Sequence, residues 1–369
     1  MSASMHAPSP SLNSTERRSA ELERRVHANP RAYRILTGDR PTGPLHIGHY
    51  FGTLENRVRL QQLGVELLVV IADYQTITDR DSPASLPDDV EGIVADYLAA
   101  GIDPERAVIF THSQVPELNE LLVPFLSLVT VAELGRNPTV KDEITAAGGG
   151  STSALMFTYP VHQAADILFC HANLVPVGKD QLPHLELSRT IARRFNDRYS
   201  PELPFFPEPE GLLGSAPLLL GPDAQKMSKS RGNAIALGAD DDETARLVRS
   251  AKTDAERRIT YEPDRRPEVA NLLRIAALCL ERPPDQIADE IGDRGAAALK
   301  GLVADALNAR LGAIRTRRRE LAKERDYLRT VLDAGNRRAR AIAATTLDDV
   351  HRLMHTNYRG LELGARAIR

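Results

Sequence analysis

Two histidines three residues apart, His46 and His49, close the run Thr37-Gly-Asp-Arg-Pro-Thr-Gly-Pro-Leu-His-Ile-Gly-His49. At that spacing they share one face of a first helical turn. A helix start also offers unpaired N–H groups and the positive end of a dipole. Imidazoles placed there suit hydrogen bonds to phosphate oxygens. Gly38 and Gly43 let backbone approach a ligand, and Gly48 removes a side chain that would block a nucleotide. Lys226 lies 177 residues beyond His49, in Lys226-Met-Ser-Lys-Ser230. Two lysines three apart, with a small hydroxyl between, make a mobile cationic clamp for phosphate. Each cluster alone has a plain structural reading, surface histidines in one case and a solvated loop in the other. Their pairing in one chain points to a bound polyphosphate. A third residue is Asp166, set in the mostly apolar stretch Leu155–Cys170. A buried carboxylate there needs a donor, from a substrate or from a neighbouring backbone group or arginine.

These residues need elements to hold them. Tyr33–Thr37, Glu66–Ala72, Ala107–Phe110 and Val175–Val177 read as strands. His46–Leu63, Leu86–Ala100, Leu155–Cys170 and Gln181–Phe195 read as helices. Strands alternating with helices predict parallel βαβ units and a doubly wound α/β sheet. Leu67–Ala72 is a continuous apolar run, as a strand buried on both faces should be. The histidine turn then falls at the carboxyl edge of the sheet, where open α/β folds bind ligands. Residues 116–147 read as mainly helical. The glycine-rich run at 147–153 reads as a linker or mobile loop, and 200–222 as irregular. From Asp240 onward the pattern is helical, broken by Pro283-Pro284 and by glycines at 292, 295 and 301. The change near 240 is the expected domain boundary.

With 369 residues, 42% apolar and 26% charged, the chain has the composition of a globular protein of about two domains. No apolar run approaches the roughly 18 residues of a membrane span. The two cysteines, Cys170 and Cys279, make neither a disulfide framework nor a zinc site and favour a reducing compartment, the cytoplasm. Residues 1–30 carry no signal peptide and read as disordered or loosely helical, a transit peptide being the alternative. Residues 301–369 hold 15 Arg and Lys against 8 Asp and Glu, on a chain of net charge −3. A basic end on an acidic body fits contact with a polyanion, or a solvated helical face.

His46-Ile-Gly-His49 and Lys226-Met-Ser-Lys-Ser230 resemble the two signatures of class I aminoacyl-tRNA synthetases. The likeness extends from about Arg34 to about Gly364. It implies a Rossmann-like, HUP-type catalytic domain over 31–240, with a dimerisation region inserted at about 90–150. A helical anticodon-binding domain over 241–369 would follow, its last helix packing back on the catalytic domain. Thr158-Tyr-Pro-Val-His-Gln-Ala-Ala-Asp-Ile167 and Val175-Pro-Val-Gly-Lys-Asp-Gln181 are similar to the amino-acid pocket of the tryptophanyl and tyrosyl branches. Tyrosyl members usually carry Tyr where this chain has Leu36. The run Ser250-Ala-Lys-Thr-Asp254, with Arg258-Ile-Thr-Tyr261 and Asn271-Leu-Leu273, resembles the tryptophanyl branch.

Carried over by position, the resemblance implies these roles. Asp166 accepts the indole N–H, and Tyr159 and Gln181 face the amino group. Leu36, Gln75, Gln163, Val175 and Val177 complete the tryptophan pocket. Gly178 and Asp180 meet the ribose, and His46, Gly48 and His49 the phosphates. Arg40, Thr42 and Gly43 form the turn over ATP. Lys226, Met227, Ser228 and Lys229 hold the leaving pyrophosphate, with Lys141 as a further phosphate-facing lysine. Mg²⁺ would enter with ATP, bound by phosphates and water rather than by a protein cage. The implied partners are tRNA(Trp), L-tryptophan, ATP and a second copy of the chain; DNA and membranes are not implied. Gln75 and Gln163 stand where many bacterial tryptophanyl members have His and Met, so a divergent branch with a differently polar pocket is expected. The competing readings are a tyrosine–tRNA ligase, a small adenylyltransferase, and a synthetase paralogue that senses amino acid or binds tRNA without catalysis.

Overall fold

The computed structural model describes residues 10–78, 85–138, 140–141, 153–178, 181–213, 218–227 and 232–358; side chains are described from residue 17 on, that of Thr78 excepted. Five strands form one all-parallel sheet: β1 (Arg34–Asp39), β2 (Glu66–Ile71), β3 (Ala107–Thr111), β4 (Leu174–Val177) and β5 (Glu210–Leu213), in the order β3-β2-β1-β4-β5. Side chains alternate across each strand, and both faces are apolar. Ile35, Leu67, Val69, Ile71 and Ile109 enter one core; Leu36, Leu68, Val70, Val108 and Phe110 enter the other. The strand order reverses between β1 and β4, which makes their carboxyl ends the switch point of the sheet.

Along the chain come α1 (Pro10–Ala28), α2 (Ile47–His49), α3 (Glu55–Leu63), α4 (Leu86–Ala100), α5 (Pro116–Glu120), α6 (Leu122–Leu126), α7 (Val131–Arg136), α8 (Ala154–Leu168) and α9 (Leu182–Tyr199). The helical part adds α10 (Asp241–Arg249), α11 (Pro267–Leu280), α12 (Pro284–Ile291), α13 (Gly295–Leu321) and α14 (Arg325–Leu353). No described helix is long and apolar enough to cross a membrane.

Five expectations need correction. Residues 10–28 are helix rather than disordered extension, because Leu22 and Val26 are buried in the core; residues 1–9 lie outside the described residues. The segment 90–111 is not an insertion, since α4 and β3 belong to the βαβ framework and β3 pairs in parallel with β2. The stretch expected to be irregular contains β5, whose Glu210-Gly-Leu-Leu213 is too short and mixed to show a strand pattern. The helix expected over 46–63 is interrupted by a π-helical turn at Tyr50–Leu54, which turns Tyr50, Phe51 and Leu54 into the core. Gly301 breaks nothing and sits inside α13, where a Cβ would meet open space.

The helical part shares a core with the sheet. Leu272, Ile275, Leu299, Val303 and Leu307 pack in the same apolar cluster as Ile35 and Val69. The last described helix, α14, covers the edge strand. The Thr111 N–H of β3 donates to Asn336 Oδ1 at 3.0 Å, and Arg338 Nη1 donates to the Ala107 carbonyl at 3.0 Å. Those are groups an edge strand otherwise leaves open to pairing. Gly335 brings the two backbones together, for a Cβ there would lie 1.8 Å from the Ile109 carbonyl oxygen.

Candidate active site

A cavity of about 360 Å³ lies at the carboxyl ends of β1 and β4, within the usual range for small-molecule sites. Leu36, Gln75, Tyr159, Gln163, Asp166, Val175, Val177 and Gln181 all line it, so the whole expected amino-acid set converges on one space. Strand ends supply Leu36, Val175 and Val177; one face of α8 supplies Tyr159, Gln163 and Asp166. Of the residues expected around ATP, Arg40, Gly48, His49 and Gly178 line the same cavity. Thr42 and Gly43 sit in the adjoining turn, where Gly43 has φ 117°, a conformation that favours glycine. Asp180, Ser228 and Lys229 lie outside the described residues. Lys141 is exposed and is not among the lining residues.

The histidine turn is a capping box. A His46 ring nitrogen, Nδ1, accepts the Gly48 N–H at 3.1 Å, and His49 Nδ1 accepts the His46 N–H at 3.2 Å. With each Nδ1 accepting, each neutral ring carries its proton on Nε2 and presents a donor there. The ring centroids are 3.8 Å apart. Gly48 does something other than expected: a Cβ would strike the His46 ring at 2.9 Å, so the glycine makes room for the cap. Gly38 likewise approaches β2 rather than a ligand, since a Cβ there would lie 2.2 Å from the Val70 carbonyl oxygen.

The chain after the lysine segment pairs directly with the histidine turn. The Ile47 N–H donates to the Ile235 carbonyl at 3.0 Å, and the Leu237 N–H donates to the Leu45 carbonyl at 2.9 Å. On the other flank Lys226 forms a bridge with Leu220, and the side chain of Lys226 is exposed. Met227 is buried, its sulfur 3.9 Å from where a Gly48 Cβ would sit. Met227 and the chain from Ile235 to Leu237 thus meet the histidine turn at one helix tip.

The cavity holds two described carboxylates, and each faces a buried nitrogen-bearing side chain. Asp39 Oδ2 accepts from Arg57 Nη1 at 2.6 Å and from the Tyr97 hydroxyl at 2.7 Å. Burial alone would raise the Asp39 carboxyl; the Arg57 guanidinium, with the Tyr97 hydroxyl, outweighs it and holds the pKa below the usual carboxylate range. Asp166 Oδ1 lies 2.9 Å from His112 Nε2, both side chains almost wholly buried. The Tyr159 hydroxyl lies 3.2 Å from His184 Nε2.

Comparison with known proteins agrees with this geometry. Residues 28–312 match the family of tRNA synthetases class I (W and Y). The tryptophan–tRNA ligase of Lactococcus lactis is 41% identical over 336 residues, covering 88% of this chain and 98% of its own. That of Treponema pallidum is 42% identical over 337 residues, covering 89% and 98%. A Campylobacter jejuni tryptophanyl-tRNA synthetase structure, complexed with ADP and tryptophan, superposes with a TM-score of 0.74 at 30% identity, covering 87% of this chain and 99% of its own. The chain belongs to the class I tRNA synthetases of the tryptophan and tyrosine group.

Sequence reasoning missed four polar residues of this synthetase's site. Asp39 lies inside the glycine-rich turn and was legible there as an end-of-strand carboxylate. His112 directly follows β3 at the ligand-binding edge, which is the one signal it offered. Arg57 is one of two arginines on α3, and His184 lies in an ordinary amphipathic helix; nothing in the sequence marks them.

Proposed function

We infer that this synthetase is a tryptophan–tRNA ligase. It activates L-tryptophan with ATP and transfers it to the 3′ end of tRNA(Trp). The observation that carries the reading is the convergence of the eight amino-acid-pocket residues on a cavity whose rim includes His49 of the histidine turn. The near relatives described as tryptophan–tRNA ligases support it.

In the first step a tryptophan carboxylate oxygen bonds to the α-phosphorus, the bond to the β-phosphate oxygen breaks, and pyrophosphate leaves with the electron pair. Such a step needs positioning and charge neutralisation more than covalent help. Nε2 donors of His46 and His49 meet the phosphates from the helix tip. Lys226 and Lys229 oppose them on the leaving group, and Arg40 and Gly178 line the ATP end. Asp166 accepts the indole N–H. In the second step a 3′-terminal ribose hydroxyl attacks the activated carbonyl, and AMP leaves. Mg²⁺ supplies charge neutralisation on the phosphates. Asp39 and Asp166, the described cavity carboxylates, are already engaged, which suits an ion held by phosphates and water.

Leu36 argues against tyrosine, because at the pocket wall it can only pack on a ring and offers a phenol no partner. The paralogue without catalysis is disfavoured by the complete signatures. A homodimer suits the exposed Val123 and Val131, 71% and 76% accessible on neighbouring short helices of the 112–141 segment. Two cysteines with no disulfide suit the cytoplasm. ATP–pyrophosphate exchange run with each amino acid separately tests the reading. Exchange dependent on tryptophan is expected; exchange dependent on tyrosine, or none with any amino acid, would overturn it.

A further inference from the structure

Against the cavity lies a buried polar cluster of which the reaction as described uses only Asp166. His112, at the end of β3, is fully buried, and His162 and Asp166 on α8 are 5% and 2% exposed. The donor atoms of all three lie within 4.8 Å of one another. Their contacts assign each a distinct state. Asn119 donates through Nδ2 to the carbonyls of His112 and Val115, which turns its Oδ1 toward His162 Nε2 at 2.7 Å. His162 Nε2 therefore carries a proton and donates. Burial pushes His162 down in pKa, and His112 beside it adds to that, so His162 is the neutral ring. Burial also works against charge on His112, but the carboxylates of Asp166 and Asp73 outweigh it and raise its pKa. Two imidazoles whose ring centroids are 4.6 Å apart are thus pushed in opposite directions. Of the two rings His112 is the one that favours its charged form, and it faces Asp166 Oδ1 at 2.9 Å.

We propose that His112 is a positioning residue for tryptophan, setting affinity by holding the Asp166 side chain in place through the 2.9 Å contact to its Oδ1, with the other oxygen left to the indole N–H. The proposal rests on the reading of Asp166 as the indole acceptor. A polar group at such depth needs a partner, and a partner that faces it fixes its orientation. The groups facing His112 are Asp166 and His162 from α8, Asp73 and Tyr74 from the segment after β2, and Asn119 from α5. Asp73 has its own backbone donors, the N–H groups of Tyr74 and Ser113, so Asp166 is the carboxylate that depends on His112.

The sign follows from the raised pKa. His112 is charged at low pH and loses its charge as pH rises past the ordinary imidazole range, and tryptophan affinity weakens with it. In pyrophosphate exchange, KM for tryptophan and kcat are compared between the wild type and His112→Gln from pH 6 to pH 8.5. Glutamine keeps a donor of similar reach but no charge. The variant's KM is expected to exceed the wild type's roughly three- to tenfold at the acid end, the range separating charge-assisted from neutral hydrogen bonds. The ratio approaches one at the alkaline end, with kcat and KM for ATP unchanged. Titration of the substrate ammonium affects both enzymes equally and cancels in the ratio. The wild type alone supplies a second measurement, with a tryptophan analogue that has sulfur in place of the indole N–H. Its KM should not show the alkaline rise seen with tryptophan. A ratio constant across pH, or an analogue that follows tryptophan's profile, overturns the role of His112. Asp166→Asn separates this from the underlying reading: if it leaves KM for tryptophan unchanged, the indole assignment of Asp166 fails first; if it raises KM while His112→Gln tracks the wild type, only the inference about His112 fails.

Discussion

His46 and His49 show how a short motif acts through its own backbone. Each ring accepts a main-chain N–H through Nδ1, so the capping interaction sets the tautomer and puts the proton on Nε2. On the proposed mechanism Lys226 and Lys229 act on charge that develops as pyrophosphate leaves. Lys226→Ala and Lys229→Ala are therefore expected to slow adenylate formation on the order of 10²-fold while changing tryptophan affinity little, read by single-turnover kinetics beside equilibrium binding. Asp39 gives a pH prediction. Its carboxyl is held below its ordinary value, so it contributes stability above an unfolded pKa of about 3.9 and loses it as pH falls through the folded value. Urea midpoints from pH 6 down to pH 2 should fall more steeply below about pH 4 for the wild type than for Asp39→Asn, which lacks the titrating group. Parallel profiles would show that the Arg57–Asp39 pair is not the source of the acid limb.

At the scale of elements, α14 is a strand cover. Its Gly335 meets the Ile109 carbonyl, Asn336 takes the Thr111 N–H and Arg338 takes the Ala107 carbonyl, so β3 presents few open edge groups. A methyl at 335 has no room beside a backbone oxygen. Gly335→Ala is expected to lower stability by about 1–3 kcal/mol, visible as a reduced Tm, with the catalytic residues untouched; an unchanged Tm would mean that α14 does not sit on β3 in solution. A second tie runs from α13 to the histidine turn. Arg318 pairs with fully buried Asp96 on α4, and the other oxygen of Asp96 accepts the Leu45 N–H at 2.9 Å. The helical part and the histidine turn thus share a buried carboxylate.

Across the whole molecule, much of the basic excess of the C-terminal region is absorbed within the fold. Arg315, Arg325, Arg329 and Arg340 pair with Asp241, Asp88, Glu91 and Glu117. These pairs clamp the helices to the acidic body, which explains a charge distribution that on its own suggested a polyanion. The basic side chains left at the exposed end of α13 and just past it are Arg317, Arg319 and Lys323. Replacing all three with alanine should raise the aminoacylation KM for tRNA and flatten its dependence on salt by roughly 0.7–0.9 in log–log slope per lost phosphate contact. Tryptophan-dependent pyrophosphate exchange should be unaffected. A slope equal to the wild type's would place the tRNA contact elsewhere.

Most of the strands, the α4 boundaries and the shift to helix at Asp241 were legible in the sequence, and the motifs that carry the family resemblance marked eight residues that the fold brings to one cavity. Each rests on local information, an apolar run, a period or a motif, that the chain carries without knowing its neighbours. The His112–Asp166 pair, the Arg57–Asp39 pair, the edge cover by α14 and the internal use of the C-terminal arginines were not. They join residues from 18 to more than 200 positions apart, and only packing decides which of many arginines and histidines faces a buried carboxylate. The order of the sequence set which groups exist; desolvation in the folded core decided which of them had to meet.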